Sequence, residues 1–130
     1  MAEYTGSALY LKFGSTVLSS DFRSFDTDES MDLADATAGA DTYKNWLSTV
    51  ADGSATCQLV DQAGGSALWT AIAPGTSGTL EWGEEGTTST KPKHTVNAVV
   101  KGRTKSRPYA DVVVLNVSFQ FKAAPTDSVY

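Results

Sequence analysis

From Leu115 to Phe121 the chain alternates apolar and polar positions, following the apolar Val112 to Val114, and the run stops only at Ala123 and Ala124. Val113, Leu115, Val117, Phe119 and Phe121 share one face, while Asn116, Ser118, Gln120 and Lys122 share the other. This pattern predicts a long amphipathic strand of about 34 Å, with each large apolar side chain contributing about 1.5 to 3 kcal/mol when buried. Up to Lys122 at its end the polar face is amide and hydroxyl rather than charged, with Val112 and Val114 at its start, which suits a surface that meets another subunit or lines a guarded channel.

Shorter patterns of the same kind recur upstream. Leu9, Leu11 and Phe13 alternate before a Gly14-Ser15 turn and Thr16 to Leu18, predicting a strand pair. A strand is expected to start at Phe22, and others at Ser54 to Val60, around Leu80 and Trp82, and from Thr95 to Lys101, where Val96, Ala98 and Val100 alternate. Asp41 is expected to cap a short helical turn carrying Tyr43, Trp46 and Leu47. After the Gly64-Gly65 pair, Ser66 is a candidate N-cap for a helix through Ala73, with Leu68, Ala71 and Ile72 on one face and Pro74-Gly75 as the stop. Many strands, one short helix at about 66–73 and turn-rich connections give a mainly β fold class: a β-sandwich or barrel-like domain with a flanking helix.

At 130 residues the chain is read as a single domain, 1–130. Hydrophobic residues make up 41% and charged residues 19%, an ordinary globular composition. The net charge of −5 argues against tight binding to a nucleic-acid backbone, which needs clustered Lys and Arg. It leaves open the transient, non-specific passage of DNA.

The charge is unevenly divided. From Asp21 to Asp41 there are seven acids (Asp21, Asp26, Asp28, Glu29, Asp32, Asp35, Asp41) against Arg23, with little apolar periodicity, and a solvated loop or arm is expected there. Lys91, Lys93, Lys101, Arg103, Lys105 and Arg107 fall in a stretch, Gly86 to Ala110, that contains no acid. An acidic loop of one copy meeting a basic loop of the next would set register in a repeating assembly. The candidate contact residues are Asp26, Asp28, Glu29, Asp32, Asp35, Lys101, Arg103, Lys105 and Arg107.

No catalytic constellation is present. His94 is the only histidine, and phosphate-binding loops and a nucleophile elbow are lacking. Asp26, Asp28, Ser30 and Asp32 approach calcium-loop spacing, but Met31 replaces the turn glycine and Thr37 the closing Glu. We therefore expect no enzyme activity, no cofactor and no metal. Cys57, between Ala55 and Leu59, reads as a small core residue, and Trp46, Trp69 and Trp82 read as packing residues rather than a sugar platform. The first seven residues carry no export signal, and no apolar run is long enough to span a bilayer, so no membrane binding is expected.

Several segments together resemble the major tail protein, or tail tube, family of long, non-contractile phage tails. They are Gly75-Thr76-Ser77-Gly78-Thr79-Leu80-Glu81-Trp82-Gly83, Gly86-Thr87, Lys91-Pro92-Lys93, Ser106-Arg107-Pro108-Tyr109-Ala110-Asp111-Val112-Val113 and Val117-Ser118-Phe119-Gln120-Phe121. Upstream, Ala40-Asp41-Thr42-Tyr43-Lys44-Asn45-Trp46-Leu47 and the stretch around Leu68-Trp69 fit as well, so the resemblance spans about Ser7 to Phe121.

The resemblance implies a structural virion protein, assembled in the bacterial host cytoplasm as hexameric rings that stack into a tube for DNA ejection. The implied partners are other copies of itself, a tape-measure protein, a tail terminator and distal tail or tip proteins. A long loop, part of Thr27 to Asp52, and flexible arms at 1–7 and 122–130 would bridge rings. Ending at Tyr130, the chain leaves no room for the extra immunoglobulin-like domain of some members. Asn116, Ser118 and Gln120, with Thr95 and Asn97 beside them, are the candidate lumen-facing residues, because rows of cations would hold DNA in transit. A tail terminator or connector, a contractile-type tube subunit, and a monomeric ligand-binding β-sandwich are the alternatives.

Overall fold

The computed structural model describes residues 5–19, 22–61 and 66–130. The first four residues of the expected N-terminal arm, Asp21 and the Gly64-Gly65 pair lie outside them. After a 3₁₀ turn at Gly6–Ala8 come β1 (Tyr10–Phe13), β2 (Thr16–Val17), β3 (Phe22–Asp35), β4 (Trp46–Val60), helix α1 (Ser66–Ala71), β5 (Ser77–Gly83), β6 (Pro92–Ser106), β7 (Val114–Phe121) and β8 (Thr126–Val129). All strands join one antiparallel sheet in the order β2-β1-β5-β6-β7-β4-β3, with β8 also paired to β6.

The sheet curls around its own core without closing into a barrel. Phe13 of β1 meets Phe119 of β7 with ring centroids 4.9 Å apart, although two strands separate them in the sheet. Phe25 of β3 likewise reaches Trp82 of β5 at 5.4 Å. The core holds Leu11, Leu59, Leu80, Leu115, Val117 and Phe119, all but inaccessible to water. Ile72, just past α1, is buried, with Leu68 and Trp69 packed against the same cluster.

The mainly β architecture with one short helix matches the sequence reading, as does the face of β7 bearing Leu115, Val117, Phe119 and Phe121. Gly14 supplies the left-handed turn between β1 and β2 at φ 60°. Gly75, at φ 88°, lies just beyond the helix.

Four expectations are corrected. The stretch from Thr27 to Asp52 is not a loop but the outer part of a long β3–β4 hairpin, paired from Phe22↔Leu59 to Asp35↔Trp46. Its residues are exposed on both faces, so backbone pairing holds it without the apolar alternation that marks a half-buried strand. The helical turn expected after Asp41 is absent: Tyr43 lies in the hairpin connection and Trp46 and Leu47 are in β4. The 122–130 arm folds back as β8 onto Pro92–Thr95 of β6. The basic stretch through Ser106 is likewise strand, because β6 runs on to pair with β7.

Candidate assembly and channel surfaces

Strand pairing puts the polar alternation of several strands on one face. Asn116, Ser118 and Gln120 point away from the core, since Leu115, Val117 and Phe119 are buried. Gln58 pairs with Asn116, Thr56 with Ser118 and Ser54 with Gln120 on one side; Thr104, Gly102 and Val99 pair with them on the other. Further out, β3 adds Ser24, Asp26 and Asp28, opposite Gln58, Thr56 and Ser54. Asn97 belongs to the same face, its Oδ1 accepting from Thr79 Oγ1 at 3.3 Å, and Thr95 lies two residues before it. The five residues expected to line a channel therefore share one surface.

None of the paired positions from Ser24–Asp28 across β4 and β7 to Thr104 is a Lys or Arg. Arg23 and Lys101 sit at register shifts of their strands, while Lys122 follows Gln120 on the same face with its amide bonded to the Asn97 carbonyl, and Lys93 stands two residues before Thr95. Apart from Gly102 and Val99, the side chains of that paired row are amide, hydroxyl and carboxylate. Gln120 donates from Nε2 to Asp52 Oδ1 (2.5 Å) and to the Gly53 carbonyl (2.9 Å), which fixes its amide at the base of the hairpin.

Beyond that base the hairpin projects about 30 Å, nine residues of strand from Thr27 to Asp35. Met31, Leu33, Trp46, Leu47 and Val50 stand exposed along it, and Tyr43 is 88% exposed in its connection. Met31 and Leu33 continue the side of β3 that faces the core at Phe25, past the point where the core ends. Trp46 is thus no core residue, contrary to the sequence reading. Of the acids, Glu29 pairs opposite Gly53, and the Asp32 carbonyl accepts from Thr49 Oγ1 at 2.9 Å. Asp35 accepts from the Thr37 hydroxyl (2.6 Å) and amide (2.9 Å), and these two bonds hold its carboxyl below the usual range.

The expected basic partners divide into two pairs. Lys101 and Arg107 are exposed. Arg103 and Lys105 instead fall opposite buried Val117 and Leu115 and are occupied within the chain. The Arg103 guanidinium lies 3.6 Å over the Trp69 ring and donates to the Trp69 carbonyl, and Lys105 Nζ is 3.1 Å from Asp61 and 4.6 Å from the same ring. Together they fasten α1 to β6. The β6–β7 connection beyond Ser106, with Arg107 and fully exposed Tyr109, lies at the opposite end of the sheet from the hairpin tip, because β4 runs from the tip at Trp46 to Val60, which pairs with Val114.

Sequence reasoning missed one polar cluster. His94 stacks on Trp82 at 5.4 Å, with Nδ1 2.6 Å from Asp127 Oδ1 and Nε2 3.0 Å from Glu84 Oε2. Its partners lie 10 and 33 residues away, so no local motif signals it. By contrast, the Ser54, Thr56 and Gln58 contribution was readable, since those residues alternate with Ala55, Cys57 and Leu59. Among the described residues no group of three or more His, Cys, Asp or Glu is placed to hold a metal ion, and no helix is long and apolar enough to cross a membrane.

A chain from the tail of an empty gene transfer agent particle, solved with C6 symmetry, superimposes with a TM-score of 0.78 over 98% of this chain and all of that one, at 11% identity. The chain has the fold of a tail tube subunit. The SPP1 tail tube matches with a TM-score of 0.77 over 98% of this chain and 80% of its own, at 11% identity. A chain of the sheath–tube complex of an extracellular contractile injection system matches at 0.74 over 98% and 93%, at 15% identity. No protein-family model and no curated protein sequence matches. At these identities the likeness is one of fold.

Proposed function

We propose that this protein is the structural subunit of a tail tube in a phage or phage-like particle, and that it acts by self-assembly rather than catalysis. The observation that carries the reading is the end-to-end match to tail and tube chains, with nothing of the gene transfer agent chain left over. The row of mainly hydroxyl, amide and carboxylate side chains from Ser24–Asp28 across β4 and β7 to Thr104 supports it independently. A wall that passes double-stranded DNA without gripping it needs hydroxyl, amide and carboxylate groups where Lys or Arg would capture phosphates.

In this reading the subunits form hexameric rings, with the β2–β1 and β3 edges of the curled sheet pairing between neighbours, so that edges open in the monomer are filled in the tube. Thr95, Asn97, Asn116, Ser118 and Gln120 line the lumen. The hairpin, carrying Asp28, Glu29, Asp32, Asp35 and its exposed apolar residues, reaches the next ring and meets the end bearing Arg107 and Tyr109. A head-to-tail contact between opposite ends of one molecule does not close on itself, which is what an open-ended tube requires. The tube belongs to the virion tail, is assembled in the host cytoplasm around a tape-measure protein, and is completed by a terminator and distal tail proteins.

The likeness to the sheath–tube complex favours a second reading, a tube enclosed by a contractile sheath. Negative-stain electron microscopy of the purified protein over a concentration series tests the proposal. Hollow tubes with a regular ring repeat are expected; discrete single rings would point to a terminator or connector, and monomers at every concentration, even with added tube seeds, would refute it.

A further inference from the structure

The last strand, β8, is held by a four-residue ladder, by the backbone bonds that Tyr130, just after it, makes with Thr90 and Lys91, and by one ionisable side-chain contact. All four of its residues are exposed, and its backbone pairs only with Pro92–Thr95 of β6. Asp127 is the one residue of β8 with a side-chain hydrogen bond or ion pair among the described residues, and its partner is His94. On its other side the imidazole is met by Glu84 of the β5–β6 turn, and its face lies on Trp82 of β5. The remaining charged and titratable groups nearby are mutually engaged: Glu81 of β5 lies 3.8 Å from Lys93, Tyr130 donates to Glu81 at 3.4 Å and receives Lys93 over its ring, and Tyr10 of β1 packs edge-on against Tyr130.

An imidazolium has two N–H groups and satisfies both carboxylates. A neutral imidazole has one N–H, so one of the two carboxylates then faces a nitrogen lone pair. We infer that His94 is a proton-operated clasp for β8: charged, it ties Asp127 and Glu84 together across the edge of β6, and on losing its proton it lets go of one of them and loosens the strand. Burial pulls the His94 pKa down, but the hydrogen bond to Asp127 and the charges of Glu84 and Asp127 outweigh it, so the net direction is upward. A group raised in this way stabilises the closed form below its unfolded value, near 6.5, and that contribution is lost as pH climbs through the folded value. Release of β8 would bare the β6 edge at Pro92–Thr95. The inference stands apart from the tube reading, since it concerns the isolated subunit.

Because His94 is the only histidine, its imidazole C–H resonance can be followed by proton NMR without assignment ambiguity. Titration of the full chain from about pH 5 to about pH 9 would be paired with hydrogen exchange at the amides of 126–129, corrected for intrinsic rates. The expected result is a His94 midpoint above that of an unfolded peptide, with protection of β8 falling about tenfold per pH unit of that elevation. Asp127→Asn should lower the midpoint and flatten the protection profile, and His94→Phe, which keeps an aromatic ring on Trp82, should be flat throughout. Protection unchanged across the wild-type titration, or a midpoint unmoved by Asp127→Asn, would overturn the inference. Asp127 is largely exposed, so its replacement does not threaten folding.

Discussion

The ring of Phe121 occupies the space where Gly53 would carry a side chain: a β-carbon built on Gly53 stands 2.5 Å from Phe121 Cδ2. This is where the hairpin leaves the core, so the glycine lets β7 close under the base of the arm. Gly53→Ala should destabilise the domain by about 1 to 3 kcal/mol through overpacking. Urea unfolding would read it, with the double variant Gly53→Ala/Phe121→Leu recovering part of the loss.

The two faces of β7 should differ sharply in cost. Phe119→Ala removes a fully buried ring and should cost about 3 to 5 kcal/mol. Asn116→Ala, on the exposed polar face, should stay within about 0.5 kcal/mol. Comparable losses in chemical denaturation would contradict the assignment of faces.

Burial, helped by the charge of Asp26, pushes the Cys57 thiol up to about 12 from its ordinary value of 9.0. The folded chain then keeps a proton that the unfolded chain gives up, so stability falls as pH rises from about 9 towards 12. Between pH 7.5 and pH 10.5 the wild type should lose up to about 2 kcal/mol more than Cys57→Ala. Parallel urea midpoints for the two proteins at both pH values would check this.

Exposed and occupied bases should behave differently in assembly. Lys101→Glu/Arg107→Glu should weaken tube formation while leaving the melting temperature of the subunit nearly unchanged, and added salt should act in the same direction. Arg103→Ala should instead lower subunit stability by about 0.5 to 2 kcal/mol, because it uncovers the Trp69 face. Sedimentation and thermal melts on the same samples would separate the two effects.

Thr90, a β-branched residue in the turn before β6, sits at φ 75°, in the left-handed region. Thr90→Asn should raise stability by about 1 kcal/mol by relieving that strain, provided the amide continues to donate to the Tyr130 carbonyl. Thermal denaturation with backbone NMR of Tyr130 would show both.

The core strands were legible because half-buried strands write their burial into a period of two: Leu11 and Phe13, Leu80 and Trp82, Val96 to Val100, and Leu115 to Phe121 all proved buried on the expected face. Pairing without burial leaves no such trace. The hairpin is held by backbone hydrogen bonds between exposed strands, so its acidic half read as a loop. Trp46 and Leu47 read as a helical turn because apolar spacing alone does not tell which surface a residue finds.

By itself the sequence determined a mainly β domain with one helix, a hydroxyl- and amide-rich strand face and a segregation of acids from bases. Those properties are periodic or compositional, and they survive without knowledge of strand order. The tertiary structure decided which strands lie side by side, and with them that Ser24, Gln58, Asn116 and Thr104 form one uncharged polar row across four strands. It also decided that Arg103 and Lys105 hold the helix while Lys101 and Arg107 remain exposed, and that His94 joins Glu84 to Asp127. Each of these depends on register between residues distant along the chain, which pairing and packing of the whole sheet fix together.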